Sequence, residues 1–209
     1  MNNYTNLDIK HNLQLFGLTE YLNFLINLLN KNKLPKVIML SGKKGNGKST
    51  LFKHFLNYVF DNKNYNLKEQ IILEKSIFNK QIEENIHPNI IFLSGSIISN
   101  IKIDDIRKLK NQILQSSMSD KKRFIVLDDV ELFNKNSLNA LLKIIEEPSK
   151  RNYFILINNY SRPLIETIKS RCLDIKILLK DSSRVDIINS LIKFYDLNQI
   201  IDPHSAELT

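Results

Sequence analysis

The segment Gly42-Lys43-Lys44-Gly45-Asn46-Gly47-Lys48-Ser49-Thr50 fits the spacing G-x-x-x-x-G-K-[ST] and restricts the fold more than any other part of the chain. Three of the five glycines in the 209-residue sequence fall inside it. Backbone freedom is therefore concentrated where the chain must bend tightly around something, and a polyphosphate is the expected occupant. Backbone N–H groups freed by the glycines converge on phosphate oxygens, Lys48 brings positive charge to the outer phosphates, and the Ser49 hydroxyl can ligate magnesium. Gly42, Gly45, Asn46, Gly47, Lys48, Ser49 and Thr50 are the candidate nucleotide contacts. That geometry works between a strand and a helix, and both are legible. Val37-Ile38-Met39-Leu40 is a short branched apolar run, while Leu51, Phe52, Phe55, Leu56 and Val59 recur at helical spacing. A glycine turn with an incidental lysine is the alternative, and the flanking elements favour the nucleotide.

Composition narrows the class. Hydrophobic residues make up 43% and charged residues 25%, as expected of a soluble globular protein. No apolar run is long enough for a spanning helix, and the start Met1-Asn2-Asn3-Tyr4 lacks the layout of a secretory signal, so a cytoplasmic protein with no membrane partner is expected. Cys172 stands alone, which excludes an internal disulfide and a cysteine-held zinc. The net charge of +8 suits contact with phosphate backbones. Lysine, asparagine and isoleucine are abundant throughout, however, so drift in genome composition explains the same charge.

The first 18 residues read as an irregular lead-in that packs at its end. Thr19 is placed to cap a helix carrying Leu22, Leu25, Ile26 and Leu29. Asp61 to Asn66 reads as a polar link, followed by a helix-like stretch from about Lys68 to Glu84. His87-Pro88 ends that pattern, with His87 as a turn residue rather than a ligand. Ile90 to Leu93 reads as a buried strand, and Ile103, Ile106, Leu109 and Ile113 as a helix with acids in its first turn. Phe124 to Leu127 forms the next strand and ends in Asp128-Asp129. Paired acids there call for a positive partner, and hydrated magnesium fits: Asp128 would orient its water shell and Asp129 polarise an attacking water. The same pair would also serve a turn or a helix cap. Leu138, Leu141, Leu142 and Ile145 give a helix closed by Pro148. Tyr153 to Ile157 is a strand ending in Asn158-Asn159, whose amides can hold a water or an outer phosphate. A short helix with Leu164, Ile165 and Ile168, a strand over 173–178, and a helix from Asp181 complete the pattern. Five apolar strands separated by helices imply an α/β fold with a mostly parallel, doubly covered sheet, with ligands beyond the strand carboxyl ends.

Several stretches together resemble the clamp-loader branch of the AAA+ ATPases, which place ring-shaped sliding clamps on primed DNA. They are the phosphate loop, Ile101 to Arg107, Ser137-Leu138-Asn139-Ala140-Leu141-Leu142-Lys143-Ile144-Ile145-Glu146-Glu147-Pro148, and Ser170-Arg171-Cys172, the last matching that family's SRC motif. Within the branch the chain is similar to delta-prime subunits of bacterial DNA polymerase III. The resemblance implies a P-loop NTPase (AAA+) core over residues 1–180, with a five-stranded sheet sandwiched by helices. Residues 181–209 would begin a helical lid, and the collar domain would be absent. It implies ATP and Mg2+ as cofactors, without zinc, with Ser49 and Asp128 at the metal, Asp129 as catalytic acid and Asn159 as first sensor. Arg171 would act in trans on a neighbouring subunit's nucleotide. Other clamp-loader subunits, the sliding clamp and primed DNA are the implied partners. Asp129 departs from the usual glutamate and is one methylene shorter, so the alternative is a non-hydrolysing assembly subunit, or a truncated remnant, that only binds partners.

Overall fold

The computed structural model describes residues 13–96, 101–114, 121–179 and 181–194. In chain order the elements are helix α1 (Thr19–Asn30), strand β1 (Val37–Ser41), α2 (Lys48–Phe60), β2 (Tyr65–Asn66), β3 (Ile71–Ile72), α3 (Ile77–Glu83), β4 (Ile90–Ser94), α4 (Ile103–Leu114), β5 (Arg123–Asp128), α5 (Lys135–Ile145), β6 (Asn152–Asn158), α6 (Glu166–Lys169), β7 (Leu173–Lys176) and α7 (Asp181–Phe194). The described residues form two compact units, one within Met1–Leu34, Lys44–Glu83 and Ile177–Thr209, the other within Pro35–Lys43 and Glu84–Lys176.

The second unit holds a five-stranded sheet in the order β4-β5-β6-β1-β7, and every pairing in it is parallel. Strands buried on both faces need apolar side chains at every position, and β1, β5 and β6 supply them: Val37 to Leu40, Phe124 to Leu127 and Phe154 to Ile157 are all buried. Register fixes which side chains share a face. Val37 and Met39 lie beside Phe154 and Leu156, which in turn lie beside Ile125 and Leu127. Onto this face pack Ile106 and Leu109 of α4, Leu138, Leu141 and Ile145 of α5, and Ile168 of α6. Each large apolar side chain so buried contributes about 1.5–3 kcal/mol. β4 differs from the expected fully buried strand: among the described residues it is the sheet edge, and Phe92 is 39% exposed.

In the first unit α1 packs on α2, burying Leu22, Leu25 and Ile26 on one helix and Leu51, Phe52, Phe55 and Leu56 on the other. The helix expected over 68–84 is instead a hairpin and a short helix. β2 pairs antiparallel with β3, and only Ile77–Glu83 is helical. The Asn66 side chain explains the difference, because its Oδ1 accepts the N–H groups of Lys68 and Glu69 at 3.1 and 3.2 Å and closes a turn that competes with helix. The lead-in extends this pairing, with Ile72 N donating to Leu13 O at 2.7 Å. Thr19 is also not the cap that was expected. It is the first helical residue, and its hydroxyl donates to Gln70 Oε1 at 3.0 Å. Among the described residues no helix is long and apolar enough to cross a membrane. Residues 1–12 of the expected lead-in and 195–209 of the expected lid lie outside the described residues.

Candidate functional site: a phosphate loop and a row of polar strand ends

β1 ends at Ser41, and Gly42 N donates to Asn158 O at 3.1 Å, so sheet pairing continues into the first loop residue. Gly45 and Gly47 then take the left-handed conformation, with φ of 83° and 74°. A Cβ at Gly47 would lie 2.9 Å from Leu18 Cδ1, a second reason for glycine there. α2 starts immediately at Lys48, and no side chain caps it. A helix start without a side-chain cap presents N–H donors and the positive dipole end to an anion. Lys48 is 3% exposed, Ser49 is exposed and Thr50 half-buried. Asn46, expected to touch nucleotide, has its side chain turned to the protein, with Nδ2 donating to Ile177 O at 3.1 Å. That bond shapes the loop. The glycine cradle, buried ammonium and exposed hydroxyl together fit a magnesium polyphosphate. Among the described residues no group of three or more His, Cys, Asp or Glu is placed to hold a metal ion.

In the sheet unit, polar residues line the strand carboxyl ends. Asp128 closes β5 opposite Ser94, and Ser41 lies in register with Asn158 and Lys176. Asp129 turns sharply, at φ 50°, and is 5% exposed. Its N–H donates to Asp128 Oδ1 at 2.9 Å, and its own Oδ1 accepts the Asn159 amide at 2.7 Å. The predicted acid and sensor are thus in direct contact. Two groups lay outside the sequence reading. Glu131 is 4% exposed, and its Oε1 accepts N–H groups from Asn159 at 3.0 Å and Ser161 at 3.3 Å. Ser41 donates to Asp174 Oδ1 at 2.5 Å and accepts from the Tyr160 hydroxyl at 3.0 Å. An acid set between Val130 and Leu132 was the available signal for Glu131. Ser41 had none, because only the fold brings β7 beside β1.

Arg171 follows α6. Its Nε and Nη2 reach Glu146 Oε1 at 2.8 and 2.7 Å, Nη1 donates to Thr167 O at 2.9 Å, and its side chain is 38% exposed. Cys172 turns inward and donates to Ile168 O at 3.1 Å; burial, and then the charge of Asp174, push its thiol up to about 12. His87 behaves as a turn residue, with Nδ1 accepting the Asn89 N–H at 3.3 Å, and burial followed by the charge of Lys121 lowers its pKa. A groove between α4 and α5, of about 350 Å³, is lined by Arg107, Lys110, Lys143, Asn136 and Asn139 among others.

A parallel sheet whose inner strand β1 runs into a glycine loop and helix, with acids closing β5 and an amide following β6, is the architecture of the AAA+ P-loop ATPases. Solved structures agree on the fold. The gamma subunit-related protein of Thermotoga maritima superposes with a TM-score of 0.55 at 20% identity, covering 83% of this chain and 53% of that one. The T. maritima RuvB Holliday junction branch migration motor gives 0.53 at 17% identity, covering 91% and 53%. The family model described as DNA polymerase III, delta subunit matches residues 17–180, and the chain belongs to this clamp-loader family of AAA+ proteins. Among curated relatives, DNA polymerase III subunit gamma of Buchnera aphidicola subsp. Acyrthosiphon pisum is 26% identical over 185 residues, covering 87% of this chain and 48% of the relative. Subunit delta' of Bacillus subtilis is 26% identical over 165 residues, covering 72% and 44%. The chain therefore spans less than half the length of these relatives.

Proposed function

We propose that the chain is a delta-prime-like clamp-loader subunit of DNA polymerase III, which binds ATP through Gly42 to Thr50 and offers Arg171 to a neighbouring subunit's nucleotide while a sliding clamp is loaded on primed DNA. The observation that carries this reading is the loop itself, with two left-handed glycines followed directly by a helix that no side chain caps. Family membership supports the assembly. Residues 1–180 act as the nucleotide-binding core and 181–209 as the start of the lid. Lys48 would neutralise charge on the outer phosphates, while the Ser49 hydroxyl and the Asp128 carboxylate would hold magnesium, partly through water. Magnesium held there would offset the negative charge that develops on the phosphates during transfer. Asp129 orients the attacking water and Asn159 fixes that carboxylate. For the trans role, Arg171 exchanges Glu146 for a phosphate oxygen. Arg107, Lys110 and Lys143 in the α4–α5 groove suit the backbone of the primed duplex.

A second reading, an assembly subunit that holds nucleotide without hydrolysing it, is favoured by the short Asp129 side chain and its engagement with Asn159. The two separate in one experiment on the complex with its partner subunits, clamp and primed DNA. Labelled ATP analogue binds the wild type and not Lys48→Ala. Single-turnover hydrolysis lost on Asp128→Ala supports the catalytic reading, and absence of hydrolysis supports the second. An Arg171→Ala complex with undiminished clamp-dependent turnover removes the trans role.

A further inference from the structure

We propose that Glu131 is the positioning residue that aims the Asn159 amide at Asp129, a role within the nucleotide site just described and resting on that reading for its catalytic consequence. Glu131 lies in the single helical turn Val130–Leu132 that follows β5, and is buried. One of its oxygens takes two backbone N–H groups from the turn after β6, those of Asn159 and Ser161. The N–H between them, that of Tyr160, donates to Asn158 Oδ1 at 3.1 Å. Three consecutive donors are thereby held by side-chain oxygens. That grip has work to do, since Tyr160 sits at φ 58°, a conformation disfavoured for any residue with a Cβ. Asp129 on the facing turn sits at φ 50°. Two strained turns thus face each other, cross-linked twice: Glu131 holds the backbone of one, and the Asn159 amide of that turn holds the carboxylate of the other.

The second Glu131 oxygen makes the case sharper. Oε2 is buried and has no hydrogen-bond partner among the described residues. A carboxylate satisfied on one oxygen only is a poor choice for stability, because burying its charge costs more than burying a neutral group of the same shape. What the charge adds is strength in the two bonds to Asn159 and Ser161, and therefore a fixed direction for the amide that meets Asp129.

The test uses the full chain, ¹⁵N-labelled, as wild type, Glu131→Ala and Glu131→Gln. The Asn159 side-chain amide signal is identified by its loss in Asn159→Ala. In Glu131→Ala that signal moves to the position of solvated asparagines, and backbone exchange at Asn159 and Ser161 quickens about tenfold or more while Val126 and Ile155 stay protected. Glu131→Gln, which keeps an acceptor oxygen but not the charge, falls between the two; it also decides the matter if the alanine variant does not fold. An unmoved Asn159 signal with unchanged exchange in a folded variant overturns the proposal. In the assembled complex Glu131→Ala lowers kcat for ATP with KM unchanged, and has no further effect once Asn159→Ala is present; an equal fall in both backgrounds overturns the coupling. A wild-type complex without turnover overturns the hydrolytic reading alone, and the spectra then decide Glu131.

Discussion

Replacing Asn159 by alanine isolates the contact between the two predicted site residues. The amide donates to Asp129 Oδ1 at 2.7 Å, and that carboxylate is 5% exposed, so the substitution leaves a buried charged acceptor without one of its donors. A hydrogen bond to a charged group contributes about 1.5–3 kcal/mol. Asn159 itself is only half-buried, so water entering the vacated space restores part of that solvation and the loss falls in the lower half, about 1.5–2.2 kcal/mol. With a urea m-value of about 2 kcal/mol/M, the unfolding midpoint drops by about 0.7–1.1 M at unchanged slope. Asn159→Asp adds a sign to the test. At pH 7.5 two carboxylates meet where an amide met one, and this variant unfolds more easily than the alanine. Midpoints from circular dichroism check this. An alanine variant within about 0.5 kcal/mol of wild type, or an aspartate variant no worse than alanine at pH 7.5, refutes the reasoning.

Three other outcomes are expected. Gly47→Ala, forced to φ 74° against Leu18, lowers stability by about 1–2 kcal/mol and weakens binding of an ATP analogue, measured by denaturation and fluorescence titration. Phe154→Ala empties the middle of the sheet core and costs about 3–5 kcal/mol in a urea melt. Cys172, with its thiol pushed up to about 12, remains neutral and resists alkylation at pH 8, whereas the urea-unfolded chain alkylates readily, as mass spectrometry will report.

The sheet and loop were legible in the residues because each carries its own local signal. Val37 to Leu40, Phe124 to Leu127 and Tyr153 to Ile157 are unbroken apolar runs of strand length, and the glycine spacing is flanked by a strand and a helix that are both visible in the residues. Asp128, Asp129 and Asn159 were found as polar residues ending such runs. The hairpin over 65–72 was not, since strands of two residues have no period to detect and a single asparagine side chain decided between turn and helix. The edge position of β4 among the described residues depends on strand order, which local pattern does not encode. Glu131 escaped for a different reason. A glutamate beside an apolar run looks like a solvated turn until the chain returns, at Asn159, with the donors that bury it.

The position of β1 in the sheet has a consequence for how the chain is made. β1 lies between β6 and β7, both of which follow β4 and β5 in the chain, and pairs with neither β4 nor β5. Ile38 meets Ile155 on one side and Leu173 on the other. Until β6 has been synthesised, the apolar run ahead of the phosphate loop has no strand to join, and the loop no anchored beginning. Nascent chains stalled before Asn152 therefore expose this run to chaperones, and crosslinking of chains stalled before and after β6 will report the difference.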